Sequence, residues 1–344
     1  MTPERVNAFF NQRAGQGIGE RQKEQLTKIF AENGWVLTIG EILEIEEIIK
    51  QLQEESIFVV GGGDGTLSRA SAELARSGKE NSLLPIGLSG NCLAENNWGI
   101  KRFSVTNPEA ITKHIKNQLR PETLGSRIVR LGELQVGQWQ THSAWGLSIG
   151  GAAKVMERDE QLRRTEATVI MRRKLAGATP TGDLPYFFSL FDLRAGYEKQ
   201  LYSSFLHEGI TLKSEKEKIE IPYPYVSFLA ITLYHFYGGV ELPHARETKK
   251  EEQLHLLLMG GDNPSQALSR TLLAYGLARF NLLDQVPSLA PKTVSAKQFS
   301  VESSKPLSLE IDGTPVISGI FTQAPEEIYS FVAQLGQGIK IVSG

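Results

Sequence analysis

A single cysteine, Cys92, occurs in 344 residues, so no disulfide can close within the chain, and a reducing, cytoplasmic setting is the simpler expectation. An excess of either charge is missing too. The 37 Lys and Arg stand against 39 Asp and Glu, and a net charge of −2 argues against a nucleic-acid partner, which calls for a basic face. The apolar run around residues 226–234 is too short to cross a bilayer, which takes about 20 residues, and reads as a buried strand. Residues 1–12 carry no basic segment followed by an apolar stretch, so no secretory signal is expected. The six histidines, at 114, 142, 207, 235, 244 and 255, have no close metal-ligand spacing and read as surface or core residues. Internal repeats and low-complexity segments are absent. What remains is a globular balance, 40% apolar and 22% charged, with length enough for two domains that each bury a core.

The first third alternates strand and helix patterns. Strands are expected at 6–10, 35–39, 57–60 and 83–86. Helices are expected at 20–33, where Leu26, Ile29 and Phe30 share a face, around Ile42, Ile45, Ile49 and Leu52, and at 67–76. Asn107-Pro108-Glu109 opens a further helix with a cap, a first-turn proline and an acid near the positive end. Such alternation implies a parallel sheet with helices on both faces, an α/β domain over 1–125. Past residue 125 the texture changes. Residues 127–136 and 138–143 alternate apolar and polar positions around a glycine turn, a hairpin pattern. Further strands are expected at 219–221, 228–237, 254–259, 294–301 and 307–311, with one helix over 264–283 and a solvated loop at 212–218. Gly260-Gly261-Asp262-Asn263 ends a strand, and Asp262 or Asn263 caps the helix that follows. This second domain, 126–320, is mainly β, a sandwich or open barrel. The tail, 321–344, reads as a helix at 325–335 and a strand at 339–342, and it could return to the first domain.

Chemistry concentrates at Ile57-Phe58-Val59-Val60-Gly61-Gly62-Gly63-Asp64-Gly65-Thr66-Leu67. A buried strand ends, residues without side chains follow, and a helix begins. Glycines let backbone N–H groups approach an anion, and the helix offers its positive end. Asp64 is placed to order Mg²⁺ or to take a proton from a hydroxyl. A plain strand–helix turn would need less; a shorter G-D-G suffices. Two other nucleotide motifs are excluded. A Rossmann fingerprint starting at Gly61 requires glycine where Thr66 stands, and G-x-x-x-x-G-K-[S/T] occurs nowhere in the chain.

The strand–GGDGT–helix unit resembles the nucleotide loop of the diacylglycerol kinase catalytic-domain superfamily, which includes sphingosine, ceramide and bacterial lipid kinases and, more distantly, NAD kinases. Three further segments resemble its lipid-kinase side: Phe9-Phe10-Asn11-Gln12-Arg13-Ala14-Gly15-Gln16-Gly17, Pro85-Ile86-Gly87-Leu88-Ser89-Gly90-Asn91-Cys92-Leu93-Ala94, and His142-Ser143-Ala144-Trp145-Gly146-Leu147. The resemblance implies an NAD-kinase- and diacylglycerol-kinase-like fold that binds ATP and Mg²⁺ in an interdomain cleft. It implies an ATP-dependent kinase that phosphorylates a primary hydroxyl of a diacylglycerol- or sphingoid-like lipid at a membrane surface. By position, Asn11, Thr38, Gly62, Gly63, Gly65, Thr66, Leu67, Ser68 and Ser89 would line the nucleotide, Asp64 would be the catalytic acid, and Asn91 would lie in a substrate loop. No residues are assigned to a metal, and a homo-oligomer is left open.

The chain also departs from the family pattern. Thr314 follows Asp312-Gly313 where the family carries glutamate, and Ser68-Arg69 replaces Asn-Glu. Glu251-Glu252-Gln253-Leu254-His255 replaces a stretch that holds a structural Mg²⁺ in some bacterial members, and Gly238-Gly239-Val240 replaces a triple glycine. Two alternatives therefore stand: a kinase of a soluble acceptor such as NAD, which Thr66-Leu67-Ser68-Arg69-Ala70 would suit, and a non-catalytic nucleotide- or lipid-binding protein. Arg163-Arg164 and Arg172-Arg173-Lys174 could attract anionic head groups, although a solvated charged face is the simpler reading.

Overall fold

The computed structural model describes residues 6–14, 17–88, 92–120, 125–150, 153–154, 209–234, 236–237, 240–241, 253–279, 282–316, 321 and 323–343. The chain divides into two units, one of Met1–Leu131, Thr141–Ala144 and Gly336–Gly344, the other of Gly132–Gln140 and Trp145–Leu335. The basic pairs at 163–164 and 172–174, and residues 207, 235, 238–239, 244 and 251–252, lie outside the described residues.

The first unit runs Val6–Asn11 (β1), Glu20–Glu32 (α1), Val36–Gly40 (β2), Ile45–Gln51 (α2), Ile57–Gly62 (β3), Asp64–Ser77 (α3), Ser82–Gly87 (β4), Cys92–Trp98 (α4) and Pro108–Gln118 (α5). Its strands are parallel in the order β2-β1-β3-β4. Parallel strands need both faces covered, and the residue parity shows how. Val6, Ala8 and Phe10 of β1, with Ile57 and Val59 of β3, share a core with Leu26 and Phe30 of α1 and with Ile111 and Ile115 of α5. The alternate positions Phe9, Phe58 and Val60 point to the other face and are fully buried as well. There α3 packs on β3 and α2 packs on α3. Each such aromatic or branched side chain contributes about 1.5–3 kcal/mol on burial. Lys79 closes the C-terminal end of α2, its ammonium donating to the carbonyls of Ile49, Lys50 and Leu52 at 2.6–2.9 Å.

This strand order has one consequence for function. From β1 the chain passes through α1 to β2 on one side, then through α2 to β3 on the other side of β1. The direction of winding therefore reverses between β1 and β3, and the carboxyl ends of those strands, Asn11 and Gly62, flank the switch point where open α/β sheets bind ligands.

The second unit is antiparallel. Its elements are Gly125–Val136 (β5, of which the part to Leu131 belongs to the first unit), Trp139–Ser143 (β6, of which the part from Thr141 belongs to the first unit), Gly146–Ile149 (β7), Ile210–Ser214 (β8), Lys218–Ile219 (β9), Tyr225–Thr232 (β10), Phe236–Tyr237 (β11), Val240–Glu241 (β12), Leu254–Gly261 (β13), Pro264–Arg279 (α6), Lys292–Ala296 (β14), Gln298–Ser303 (β15), Leu309–Ile311 (β16), Thr314–Pro315 (β17) and Ser330–Ser343 (β18, of which the part from Gly336 belongs to the first unit). One sheet has the order β14-β13-β10-β7-β16-β17. Helix α6 lies against it through small residues, with Ser227 Oγ donating to the Ala267 carbonyl at 2.9 Å. Asn263 caps that helix by accepting from the Gln266 amide at 2.9 Å. Residues 330–334 of β18 pair with β15, and β15 with β8, while Lys340 and Ile341 of the same strand pair in parallel with Ser82 and Leu83 in the first unit.

Four expectations from sequence change. Residues 325–335 are not a helix: from Ser330 onward they are strand, because Phe331 and Ala333 alternate inward against β15. Residues 294–301 are two strands that serve different sheets, with a corner at Lys297. Residues 212–218 are not a simple loop. They complete β8 and turn into β9, and the Glu215 carboxylate accepts the amides of Lys297 and Gln298 at 3.2 and 3.0 Å, holding that corner. Finally, α3 starts at Asp64 rather than Leu67, so Gly63 alone separates strand from helix.

Two measurements test this packing. Glu73, 3% exposed, accepts Arg69 at 2.9 Å and Arg76 at 2.8 Å, and Arg69 also lies 3.8 Å from Glu46 of α2. Glu73→Gln removes the close ion pair of the buried Arg69, leaving only Glu46 at 3.8 Å, and should cost about 3–5 kcal/mol in urea unfolding. His114 packs on the Phe103 ring at 4.8 Å, and burial, with the charge of Lys101 second, holds its pKa below 6.5. The unfolded chain then binds the proton first, so this stability is complete above pH 6.5 and is lost as pH falls through the folded pKa. Unfolding curves at pH 7.5 and 5.5 should separate less in His114→Gln than in the wild type.

Candidate active site

The switch point is built from three short pieces of chain. After β1 the backbone turns: Asn11 Oδ1 accepts the Arg13 amide at 2.9 Å, and the Gln12 amide reaches the Gly40 carbonyl at 2.8 Å. The other end of the Asn11 amide crosses to α3, with Nδ2 donating to Thr66 Oγ1 at 2.7 Å. After β3 the Gly63 carbonyl accepts the amides of Thr66 and Leu67 at 3.0 and 3.1 Å, which starts the helix at once. Room for so early a start comes from Gly62, and Gly61 makes room for Phe10 on the other face of the strand. A Cβ on Gly62 would stand 2.6 Å from Thr66 Oγ1, and one on Gly61 would stand 2.5 Å from the Phe10 ring. The glycines thus serve close packing, a demand that the sequence pattern does not distinguish from backbone approach to a phosphate.

Asp64, in the first turn of α3, reaches sideways. Its carboxylate accepts the Leu93 amide at 3.1 Å through Oδ2 and the Ala94 amide at 2.8 Å through Oδ1, capping α4. The far end of α4 is held too. Arg127 donates to the Trp98 carbonyl, and Gly99, left-handed at φ +68°, stops the helix. Arg102 pairs with Glu95 on its exposed side.

The candidate residues distribute unevenly. Asn11, Gly62, Gly63, Asp64, Gly65 and Thr66 come together at the switch point. Leu67 and Ser68 are buried in α3. Thr38 lies on β2 opposite Phe9, on the sheet face that Phe9 and Asn11 share. Ser89 and Asn91 lie outside the described residues. Arg69 is accounted for by its buried pair with Glu73. Sequence reading placed Leu93 and Ala94 in the segment that resembles the family's substrate loop, but not their bonds to Asp64, and it missed Arg127.

In the second unit the Asp312-Gly313-Thr314 turn is also built around carboxylates. Asp312 Oδ1 accepts the amides of Trp145 and Gly146 at 2.8 and 2.9 Å. Glu310, 1% exposed, accepts from Ser148 Oγ and from the Gly313 amide. Asp312 itself is left-handed at φ +53°, as a tight hairpin turn demands.

A magnesium nucleotide suits the first-unit site. The amino end of a 14-residue helix favours phosphate. Among the described residues no group of three or more His, Cys, Asp or Glu gathers. Mg²⁺ that arrives with phosphates normally needs only one or two protein carboxylates, and Asp64 is a carboxylate at this position. No helix among the described residues is long and apolar enough to cross a membrane.

Residues 5–126 match the family described as the diacylglycerol kinase catalytic domain. No curated protein matches the chain in sequence. Among solved structures, a candidate diacylglycerol kinase from Bacillus anthracis str. Sterne is similar with a TM-score of 0.63 at 15% identity, over 99% of this chain and 97% of that one. A second structure, described as a diacylglycerol kinase from the same organism, gives a TM-score of 0.55 at 13% identity over the same shares. At these identities the likeness shows a common fold.

The close contact at Gly62 makes a sharp prediction. Gly62→Ala should destabilise the protein by about 1–3 kcal/mol, the usual penalty for overpacking, read as a lower midpoint in urea.

Proposed function

Residues 5–126 match the diacylglycerol kinase catalytic-domain family, and from that match we propose that the protein is an ATP-dependent lipid kinase. Its acceptor is a primary hydroxyl of a diacylglycerol- or sphingoid-like lipid, met at a membrane surface by a cytoplasmic protein. One observation carries the reading: Asn11 and Thr66 are bonded at 2.7 Å across the switch point, with Asp64 two residues from Thr66 at the start of α3.

Each residue then has a role. Asn11 and Thr66 fix the two loops against each other, and Thr38 and Ser89 extend the nucleotide surface. Gly62, Gly63 and Gly65 leave the backbone open to phosphate at the amino end of α3. Leu67 and Ser68 anchor that first turn in the core. Asp64 would hold the metal and receive the acceptor's proton, and the resemblance assigns Asn91, outside the described residues, to the lipid. ATP with Mg²⁺ supplies the phosphoryl group and most of the charge neutralisation. Phosphoryl transfer asks a protein mainly to position reactants, so a single acid within a backbone cradle is sufficient machinery.

A second reading, a non-catalytic nucleotide- or lipid-binding protein, is favoured by a specific observation. At the turn where relatives carry a catalytic glutamate, Thr314 has no carboxylate, and the two acids beside it, Glu310 and Asp312, are bound to local amides and a hydroxyl. The loss of a general base is commonly worth about 10²–10⁴ in rate.

The test is ATP turnover with Mg²⁺ on mixed micelles of diacylglycerol or sphingoid base, comparing the wild type with Asp64→Asn. Lipid-dependent turnover that falls by at least about 10²-fold in the variant is expected. ATP binding without turnover on any lipid would select the second reading, and turnover on NAD but not on lipid would assign a soluble acceptor.

A further inference from the structure

Helix α4 has seven residues, too few to persist on its own propensity. Leu93, Ala94 and Trp98 bury one side of it, and its ends are held by groups of opposite charge: the Asp64 carboxylate at the amino end and the Arg127 guanidinium at the Trp98 carbonyl. Both placements suit the helix dipole. The amino-end partner is the same carboxylate that the nucleotide reading places against the metal. Asp64 is thus shared between the glycine loop and a helix 29–30 positions further along the chain.

We propose that α4 is a positioning element for Asp64: the Leu93 and Ala94 amides aim the carboxylate, and metal–nucleotide at the glycine loop and order in the first turn of α4 stabilise each other through it. The proposal rests on the nucleotide reading of that loop. A carboxylate offers about four acceptor directions, so amide bonds that aim it and a metal contact are compatible in kind. An untethered carboxylate would have to be ordered when nucleotide binds, at a cost to affinity; here α4 meets that cost beforehand. Because coupling is reciprocal, nucleotide must in turn steady α4, and loosening α4 must weaken nucleotide. The immediate effect is on Leu93 and Ala94, which lie one and two residues beyond Cys92, in the segment that resembles the family's substrate loop.

The test is amide-resolved hydrogen exchange on the full chain, with and without Mg²⁺ and a non-hydrolysable ATP analogue, with calorimetry on the same samples. At saturation, exchange of the Leu93 and Ala94 amides should slow by about fivefold or more, the lower end of ordinary coupling between sites. In Asp64→Ala the same amides should exchange about fivefold faster without nucleotide, the usual effect of a lost helix cap, and nucleotide should no longer protect them. Arg127→Met loosens α4 from its other end without touching the glycine loop, and it should weaken nucleotide binding by about twofold or more. Calorimetric binding with unchanged or faster exchange at Leu93 and Ala94 would overturn the coupling and leave the nucleotide site standing. Unaltered affinity in an Arg127→Met protein whose α4 exchanges faster would overturn it as well. No binding to the wild type would remove the nucleotide reading and the coupling together.

Discussion

A helix that starts one residue after a buried strand has nowhere to put side chains at the junction, and the candidate site follows from that constraint. β3 is buried along its whole length, α3 begins at Asp64, and only Gly63 intervenes. The first turn of α3 therefore lies directly over Gly62, and the end of β3 lies against Phe10. Thr66 can then meet Asn11 from the neighbouring strand, and Asp64 is thrown sideways to α4. Substituting a bulkier residue at Gly62 would displace α3, and the Asn11–Thr66 and Asp64–α4 bonds would go with it, while one at Gly61 would push on the Phe10 ring. The switch in winding between β1 and β3 supplies the opening, and the missing Cβ atoms supply the proximity.

Much of this was legible in the sequence because its signals are local. A continuous apolar run, a glycine cluster and a helical period lie side by side in residues 57–77, and each requires only neighbouring positions to be read. The helical spacing of Ile45 and Ile49 and the Asn107-Pro108-Glu109 helix opening are legible for the same reason. Helix α4 was not, since seven residues make too little periodicity to distinguish from a loop. Its partners Asp64 and Arg127 lie about thirty positions away on either side, where pattern carries no information about proximity. The run Lys213-Ser214-Glu215-Lys216-Glu217-Lys218 looks like solvated charge, and most of it is exposed. Glu215 nevertheless has a structural task, which appears only when the Lys297 corner is brought against it. Residues 325–335 hold good helix formers, but strand pairing with β15 overrides local preference, as tertiary context commonly does.

The two units use carboxylates in the same manner. Asp64 accepts two successive amides, Leu93 and Ala94; Asp312 accepts two successive amides, Trp145 and Gly146; Glu215 accepts those of Lys297 and Gln298. An ionised carboxylate bonded to backbone N–H groups makes a stronger clamp than a neutral side chain. In the second unit these clamps fix a bend and a corner. In the first unit the clamp joins the element that would hold phosphate to the element beside it, so structure and proposed chemistry draw on the same atom pair.

The last strand raises a question of timing. Lys340 and Ile341 complete the parallel sheet beside Ser82 and Leu83, partners separated by on the order of 250 residues of chain, and pairings so distant form late. During synthesis at about 5–20 residues per second, β4 emerges roughly 10–50 s before the strand that covers its edge. For that interval the nearly finished parallel sheet carries an open edge rich in leucine and isoleucine. A nascent chain of this design needs that edge shielded, by a chaperone or by its own unfinished second unit, until residues 336–343 arrive.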